Sequence, residues 1–263
     1  MIKNKFKSIL LVGILLIITG CVKQESLPPQ PSSSANKEFD KNFKIGIISN
    51  VGNIFEYFYN NNPLLPYSGD HKFIAINNWD VDQLIEGEYK SQLEKRGYKN
   101  IEMIYPTEKL ISIKNQGKNL YFIEHFNELL NIVTKNNLDV LFYIENFPTV
   151  NGKNMKFGEN KNIFVTKNLS IYANKSLINQ KIDEYGLFLF HAEILKFGPK
   201  VENGKKVIHY WNSPRAYTKK LMLNQNISYN NSYSMEKLDE LKPFFEDIIQ
   251  NAIGKYFEEE QIN

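Results

Sequence analysis

Residues that usually identify a catalytic or metal site are scarce in this sequence. Its 263 residues include one cysteine and four histidines, so neither an internal disulfide nor a zinc site built from several cysteines can form. The motifs GxSxG, HExxH, GxGxxG and GxxxxGK[ST] do not occur. Their absence does not exclude an enzyme, but it removes the simplest arguments for hydrolase, protease, dinucleotide or nucleotide sites. We therefore expect a protein that is not an enzyme, with no catalytic residue, no metal and no cofactor.

An excess of charge of one sign is also missing. The chain has 32 lysines and arginines against 29 aspartates and glutamates, and three of the lysines lie within the first seven residues. No basic patch of the kind that binds phosphate backbones stands out. Nucleic acid is therefore not expected as a partner.

A hydrophobic run long enough to span a bilayer is absent, but a shorter run follows the amino terminus. Lys3, Lys5 and Lys7 precede the apolar stretch Ile9–Ile18. A stretch of roughly 10 residues cannot form a stable transmembrane helix, which needs about 20. A basic head, a short apolar stretch and small residues after it are typical of a secretory signal, which we place at residues 1–20.

The sequence Ile18-Thr19-Gly20-Cys21 resembles the lipobox of bacterial lipoproteins. The resemblance implies that a dedicated peptidase recognises Ile18, Thr19 and Gly20 and cleaves before Cys21. It also implies that the Cys21 thiol carries diacylglycerol and that acyl chains such as palmitate anchor the protein to a membrane. A lone thiol would otherwise be a liability in an oxidising compartment.

The residue after the lipidated cysteine bears on which membrane holds the anchor. Val22 stands where an aspartate tends to retain lipoproteins on the inner membrane of enteric bacteria. We therefore expect the periplasmic side of the outer membrane in a cell with two membranes. In a cell with one membrane we expect the outer face of the cytoplasmic membrane.

The mature chain divides into a tether and one folded domain. Residues 21–42 contain the lipidated cysteine and a segment rich in proline and serine, which predicts a flexible tether. Residues 43–263 are long enough for one substantial core or two small ones. Their pattern predicts a single globular domain of mixed α/β class (α+β), with a mixed sheet flanked by helices.

Several elements of this domain follow from hydrophobic periodicity. The pattern predicts two amphipathic helices. The first is capped by Asp80 and ends at Gly97, and the second begins near Tyr121. Each precedes an apolar strand, as in a crossover unit. The pattern predicts a hairpin between the first two strands, antiparallel strands in the second half, and a final helix that Pro243 kinks or restarts. The predicted strands are Lys44–Ser49, Ile54–Tyr59, Lys72–Ile76, Ile101–Tyr105, Val140–Ile144, Asn162–Asn174, Gly186–Phe197 and Val207–Trp211.

The first part of the domain is similar to small α/β domains of envelope lipoproteins. These include the curli secretion-channel subunit, the lipoprotein activators of penicillin-binding proteins and the amino-terminal domain of the Tol–Pal translocation protein. The similarity covers Lys44 to Ile144 and depends on the first strand, on Leu93-Glu-Lys-Arg-Gly97 and on the strand after Asn136. The segment from Asn53 to Asn78 departs from that group. The resemblance implies a partner-binding domain without catalytic residues.

Three short segments carry groups that could take part in chemistry. His191-Ala192-Glu193 matches the H-x-E motif of zinc deaminases, which also need two cysteine ligands. In a strand the side chains of His191 and Glu193 lie on the same face, where they could form a simple hydrogen-bonded pair or two ligands of a metal. Asp70 and His71 follow a glycine and are expected in a turn. Asp80 and Asp82 are expected to cap a helix and complement its dipole.

The segment His209–Arg215 is the candidate for partner binding. Tyr210, Trp211 and Arg215 are residue types that often anchor protein interfaces. The alternative interpretation is a core strand that ends in a turn at Pro214.

Three functions are compatible with these features. The favoured hypothesis is a membrane-anchored envelope lipoprotein that binds another envelope protein or a wall component without catalysis. The second is a hydrolase acting on envelope material, which requires that two of Asp70, His71, His191 and Glu193 lie within hydrogen-bond reach. The third is a solute-binding lipoprotein of a transporter, for which the chain is short.

Overall fold

The computed structural model describes Lys37 and residues 39–60, 69–113, 118–146, 155–157, 161–163, 169–175, 182–199, 205–221 and 238–262. Cys21, the predicted peptidase recognition residues Ile18, Thr19 and Gly20, and most of the predicted tether lie outside these residues. Among the described residues, no helix is both long enough and apolar enough to cross a membrane.

Ten strands and four helices make up the described fold. A short 3₁₀ helix, Asn77–Trp79, precedes the first α-helix. The strands are β1 Ile45–Asn50, β2 Ile54–Asn60, β3 Asp70–Ala75, β4 Ile101–Met103, β5 Val140–Glu145, β6 Met155–Phe157, β7 Lys161–Ile163, β8 Leu169–Lys175, β9 Ile182–Phe197 and β10 Val207–Lys220. The helices are α1 Val81–Lys95, α2 Glu108–Ile113, α3 Lys118–Asn136 and α4 Lys242–Glu259.

One mixed sheet contains eight of the strands, in the order β3-β2-β8-β9-β5-β1-β4, with β10 also paired to β9. The pairs β1–β4, β1–β5 and β2–β8 are parallel, whereas β9 is antiparallel to β5, β8 and β10. Strands β6 and β7 pair separately. This arrangement confirms the predicted mixed α/β class in a single globular domain.

Helices cover the sheet around β1 and β5 on both faces. Ile45, Ile47 and Phe142 lie in the large core cluster with residues of α1 and α4, and we call this side the α1/α4 face. Ile48 and Leu141 point the other way, into a second cluster with residues of α2 and α3, and we call that side the α3 face. Burial on both faces explains why β1 and β5 are almost continuously apolar.

The predicted hairpin between the first two strands is wrong. β1 pairs with β4 on one edge and with β5 on the other, while β2 pairs with β3 and β8. The reason is that the crossovers through α1 and α3 bring two parallel strands to β1 and fill both of its edges. Hydrophobic alternation identifies a strand but does not identify its neighbours.

The predicted capping role of Asp80 is also wrong. Asp80 has a left-handed backbone, with φ of 50°, and its side chain makes no capping hydrogen bond. Asp82 instead accepts hydrogen bonds from Ser49 Oγ at 2.6 Å and from the backbone N–H groups of Val51 at 2.8 Å and Gly52 at 3.2 Å. The carboxylate therefore ties the end of β1 to α1. The predicted left-handed turn after this helix is confirmed, because Gly97 has φ of 89°.

β10 is longer than predicted and does not end before a proline turn. It continues to Lys220, and Pro214 lies within it opposite His191 of β9. In the described part of the chain β10 pairs along one edge only, and an edge strand tolerates the missing proline N–H. The predicted restart of the final helix is confirmed, since α4 begins at Lys242 with Pro243 in its first turn.

Glu86 is a buried carboxyl group at the contact between α1 and β1. It is 4% exposed, and its Oε1 accepts a hydrogen bond of 3.0 Å from the Ser49 N–H. Burial raises the pKa of Glu86 to about 7, helped by the nearby charge of Asp82 and opposed by the Ser49 hydrogen bond. The folded protein therefore holds a proton at Glu86 at pH values where the unfolded chain has lost it.

We predict that Glu86 makes the fold less stable as the pH rises. Its contribution is fully present below the ordinary glutamate pKa of 4.5 and is lost as the pH passes through about 7, because the buried carboxylate must then be charged. The free energy of unfolding in urea should be measured at pH 5 and at pH 8. The difference between the two values should be smaller in Glu86→Gln than in the wild type by about 1–3 kcal/mol. Exposed Glu94→Gln is the matched control. An equal pH dependence in the wild type and Glu86→Gln would contradict the prediction.

Candidate functional site

A group of polar side chains, most of them buried, lies on the α3 face, where β1, β5, β9 and β10 adjoin. Strand register brings it together in two rows. Asn50, Glu145 and His191 occupy consecutive positions across β1, β5 and β9, and Tyr143, Glu193 and Asn212 do the same across β5, β9 and β10. We call the following residues the polar cluster: Asn50, His125, Tyr143, Glu145, His191, Glu193, Tyr210 and Asn212.

Glu145 is held in place by hydrogen bonds from two sides. Its Oε1 lies 3.3 Å from His191 Nδ1, and its Oε2 accepts a hydrogen bond of 3.2 Å from the Tyr143 hydroxyl. The Tyr143 hydroxyl in turn accepts a hydrogen bond of 3.2 Å from Asn50 Nδ2. The carboxylate is therefore fixed with one oxygen towards His191.

The orientation of the His191 ring follows from its contact with Asn212. His191 Nε2 is hydrogen-bonded to Asn212 Oδ1, and because an amide oxygen only accepts, Nε2 carries the hydrogen. The Asn212 amide is itself oriented, since Nδ2 donates to the Tyr210 hydroxyl at 3.0 Å. Nδ1 of His191 consequently faces the carboxylates of Glu145 and Glu193, at 3.3 Å and 3.8 Å.

The second histidine of the cluster comes from α3, above the sheet. Nε2 of His125 lies 3.9 Å from Glu193 Oε2, and the His125 ring packs edge-on against Tyr143 with 4.8 Å between ring centroids. One donor atom from each of His125, Glu145 and Glu193 can be chosen so that all three lie within 4.8 Å of one another. Two imidazoles and two carboxylates thus converge in a buried space.

The charges in this space shift the pKa values of its members. Burial of His191 opposes protonation, but the hydrogen bond to Glu145 and the charge of Glu193 outweigh burial and raise the pKa of its imidazole. Burial, with the charge of Glu193 added, raises the pKa of the Tyr210 hydroxyl, which stays neutral. Groups of this kind can exchange protons or bind a cation.

The cluster lies at a characteristic place in the sheet. Asn50 and Glu145 are the last residues of the parallel strands β1 and β5. The helix leading to β4 packs on the α1/α4 face, and the helix leading from β4 to β5 packs on the α3 face. The carboxyl ends of parallel strands are the usual ligand site of open α/β sheets.

Of the residues singled out in the sequence, His191 and Glu193 are brought together and Asp70 and His71 are not. Asp70 and His71 belong to β3, which β2 and β8 separate from β9, and His71 Nδ1 contacts Glu56 Oε1 at 2.5 Å. The predicted turn at Asp70 and His71 is therefore wrong, because both pair with β2. The shortest approach of His191 to Glu193 is 3.8 Å, beyond the hydrogen-bond reach that the hydrolase hypothesis requires.

The proposed partner-binding residues point to opposite faces of the sheet. Tyr210 belongs to the polar cluster on the α3 face, whereas Trp211 is 6% exposed on the α1/α4 face, where it packs on Phe39. Arg215 shares the α1/α4 face, where its guanidinium contacts Glu260 at the end of α4. The three residues do not form one exposed aromatic patch, and their role in partner binding stays a prediction.

Comparison with known proteins gives little guidance. No protein-family model matches the chain, and no curated protein matches it. A solved structure described as a neuraminyllactose-binding hemagglutinin homolog from Helicobacter pylori aligns over 88% of each chain, with 8% identity and a TM-score of 0.31. The lipoprotein GNA1162 from Neisseria meningitidis aligns over 80% of this chain and 98% of its own, with 12% identity and a TM-score of 0.25. TM-scores this low support no argument about fold or function.

We predict that Arg215 stabilises the fold from its partly buried position. Its side chain is 28% exposed and that of Glu260 is 11% exposed. Removing the guanidinium therefore leaves the largely buried Glu260 carboxylate without one of its neighbouring cations. Arg215→Gln should lower the free energy of unfolding, measured in urea, by about 1–2 kcal/mol. The control is Lys219→Gln in the same strand, because the Lys219–Asp247 pair is 51% and 46% exposed and should contribute less than about 0.5 kcal/mol. Equal losses in both variants would refute this assignment.

Proposed function

We propose that this chain is a lipid-anchored lipoprotein of the bacterial envelope whose folded domain binds another envelope protein without catalysis. The observation that carries the proposal is Cys21, a solitary cysteine placed directly after a short apolar run in the sequence Ile18-Thr19-Gly20-Cys21. Two or more acyl chains on such a residue give stable membrane attachment. A wall component is the other binding partner that this anchoring supports.

The start of the folded domain fits an anchor at Cys21. Lys37 forms a β-bridge with Ile262 and an ion pair with Glu260, and Phe39 is buried in the core. Residues 22–36 therefore join the proposed anchor to the first described contacts of the domain. Fifteen residues span at most about 50 Å when fully extended, so the domain would stay within this distance of the membrane surface.

An exposed apolar pair at the edge of the sheet supports a binding role. Phe73 in β3 is 52% exposed and Ile54 in β2 is 47% exposed. Phe73 pairs directly with Glu56, so Ile54 is its diagonal neighbour on the same face. β3 is the outermost strand at this end of the described sheet, and exposed apolar edge strands readily contact other proteins. We place the contact with the envelope protein here.

We predict that Cys21→Ser abolishes acylation and processing. A serine hydroxyl cannot replace the thiol that the diacylglyceryl transfer requires, so the variant should incorporate no radiolabelled palmitate and should keep the mass of the precursor. Ser32→Ala changes a residue of the predicted tether outside the peptidase recognition sequence and is the control, with labelling expected as in the wild type. A Cys21→Ser variant that is still labelled and still held in the membrane fraction would overturn the anchoring proposal.

We predict that the edge of β3 contacts a partner protein in the cell. A photoreactive amino acid in place of Phe73 should yield a crosslinked product of higher mass in intact cells. The same amino acid in place of the exposed α1 residue Glu94 should yield none. Identification of the adduct by mass spectrometry then names the partner. Absence of a product at Phe73, or equal products at both positions, would argue against this surface.

A further inference from the structure

We propose that the polar cluster is a binding site for a divalent transition-metal ion, with Zn²⁺ as the ion to test. The site would bind the ion between the sheet and α3. The ligands that the geometry points to are His125 Nε2, the carboxylates of Glu145 and Glu193, and His191 Nδ1.

The donor set has the chemistry that such an ion prefers. Imidazole nitrogens and carboxylate oxygens together are common ligands of Zn²⁺, and imidazole also suits the neighbouring transition metals. Two carboxylates and two neutral imidazoles around a doubly charged cation give a group with no net charge. A neutral group is what a buried site favours, because an uncompensated charge is costly to remove from water.

The distances leave room for an ion in the middle of the donors. Ligand atoms around a tetrahedral Zn²⁺ lie about 3.3 Å apart, because each bond is about 2.0 Å long. His191 Nδ1 and Glu145 Oε1 already have a separation of 3.3 Å, and the contacts of Glu193 with the two imidazoles measure 3.8 Å and 3.9 Å. Donor atoms of His125, Glu145 and Glu193 also lie within 4.8 Å of one another.

A second His–Glu contact in the same sheet allows a comparison of the distances between the paired atoms. His71 and Glu56 approach to 2.5 Å, the separation of two groups in direct contact. In the polar cluster three His–Glu contacts are wider, between 3.3 Å and 3.9 Å. Separations of this size are close to those of donors that share a central ion.

Two of the four proposed ligands also have the outer partners that metal ligands need. A metal-binding histidine usually donates its second ring N–H to an oxygen, which fixes the free nitrogen towards the ion. His191 does this through Nε2 and Asn212 Oδ1. The Tyr143 hydroxyl orients Glu145 in the same way.

The proposed site lies close to the surface of the sheet. Asn212 is exposed at the surface while the His191 ring that it contacts is buried. The donors therefore lie about one side chain below the surface of β10. They also lie at the carboxyl ends of β1 and β5, where ligands of this sheet type bind.

The test is a direct metal titration of the whole protein. The chain, purified in detergent without a polyhistidine tag and stripped with a chelator, should bind one equivalent of Zn²⁺ in isothermal titration calorimetry. Co²⁺ should give the visible absorption of a nitrogen- and oxygen-coordinated ion, without a sulfur charge-transfer band. Glu145→Gln combined with Glu193→Gln should weaken Zn²⁺ binding by at least about 100-fold, since two charged ligands are removed.

Two further variants control for folding and for other histidines. Asn212→Ala removes an exposed residue that only orients His191, so it should fold normally, as circular dichroism can verify, and weaken binding by about 10- to 100-fold. Glu56→Gln alters the separate His71–Glu56 pair and should leave the dissociation constant unchanged within about twofold.

Three results would overturn the proposal. The first is a wild-type protein that takes up no Zn²⁺ and gives no Co²⁺ spectrum. The second is unchanged affinity in both Asn212→Ala and the double glutamine variant. The third is an equal loss of affinity in Glu56→Gln. The lipidation experiment on Cys21 is independent of all three.

Discussion

The pairing of β9 is the constraint on which most of the structure depends. Its 16 residues pair with β10 along one edge, and along the other edge first with β8 and then with β5. This single strand therefore joins the half of the sheet that contains β2, β3 and β8 to the half that contains β1, β4 and β5. The register of β9 also decides which side chains of β5 and β10 become neighbours, so the polar cluster depends on the same hydrogen bonds as the sheet.

The two faces of β9 have different chemistry. Phe188, Phe190 and Ile194 enter the large apolar core on the α1/α4 face. His191 and Glu193, which alternate with them, place buried charge on the α3 face. Burying charge costs free energy that an apolar residue would not. The buried charge of His191 and Glu193 supports the metal-binding role that we propose for the polar cluster.

The sequence predicted helices and strands better than it predicted which strands pair and which side chains meet. Amphipathic stripes identified α1 and α3, and Gly97 marked the end of α1, because these signals lie within a few residues of one another. The β1–β2 hairpin was wrong because strand pairing depends on which crossovers fill the edges of β1. The spacing of His191 and Glu193 predicted that their side chains lie on the same face of a strand. Glu145, His125 and Asn212 could not be predicted as their neighbours, since they come from three other segments and meet only through the sheet register.

The contact of Lys37 with Ile262 and Glu260 has a mechanical consequence. If the chain is held at Cys21, any pull between membrane and partner enters the domain at Lys37 and passes next to Phe39, whose ring is wedged between Trp211 and Phe142. The load therefore enters the domain through the central packing and the residues that follow α4, and it leaves at β3, where we place the partner. A force applied at the anchor would have to pull the Phe39 ring out of the core before the strands of the sheet could separate.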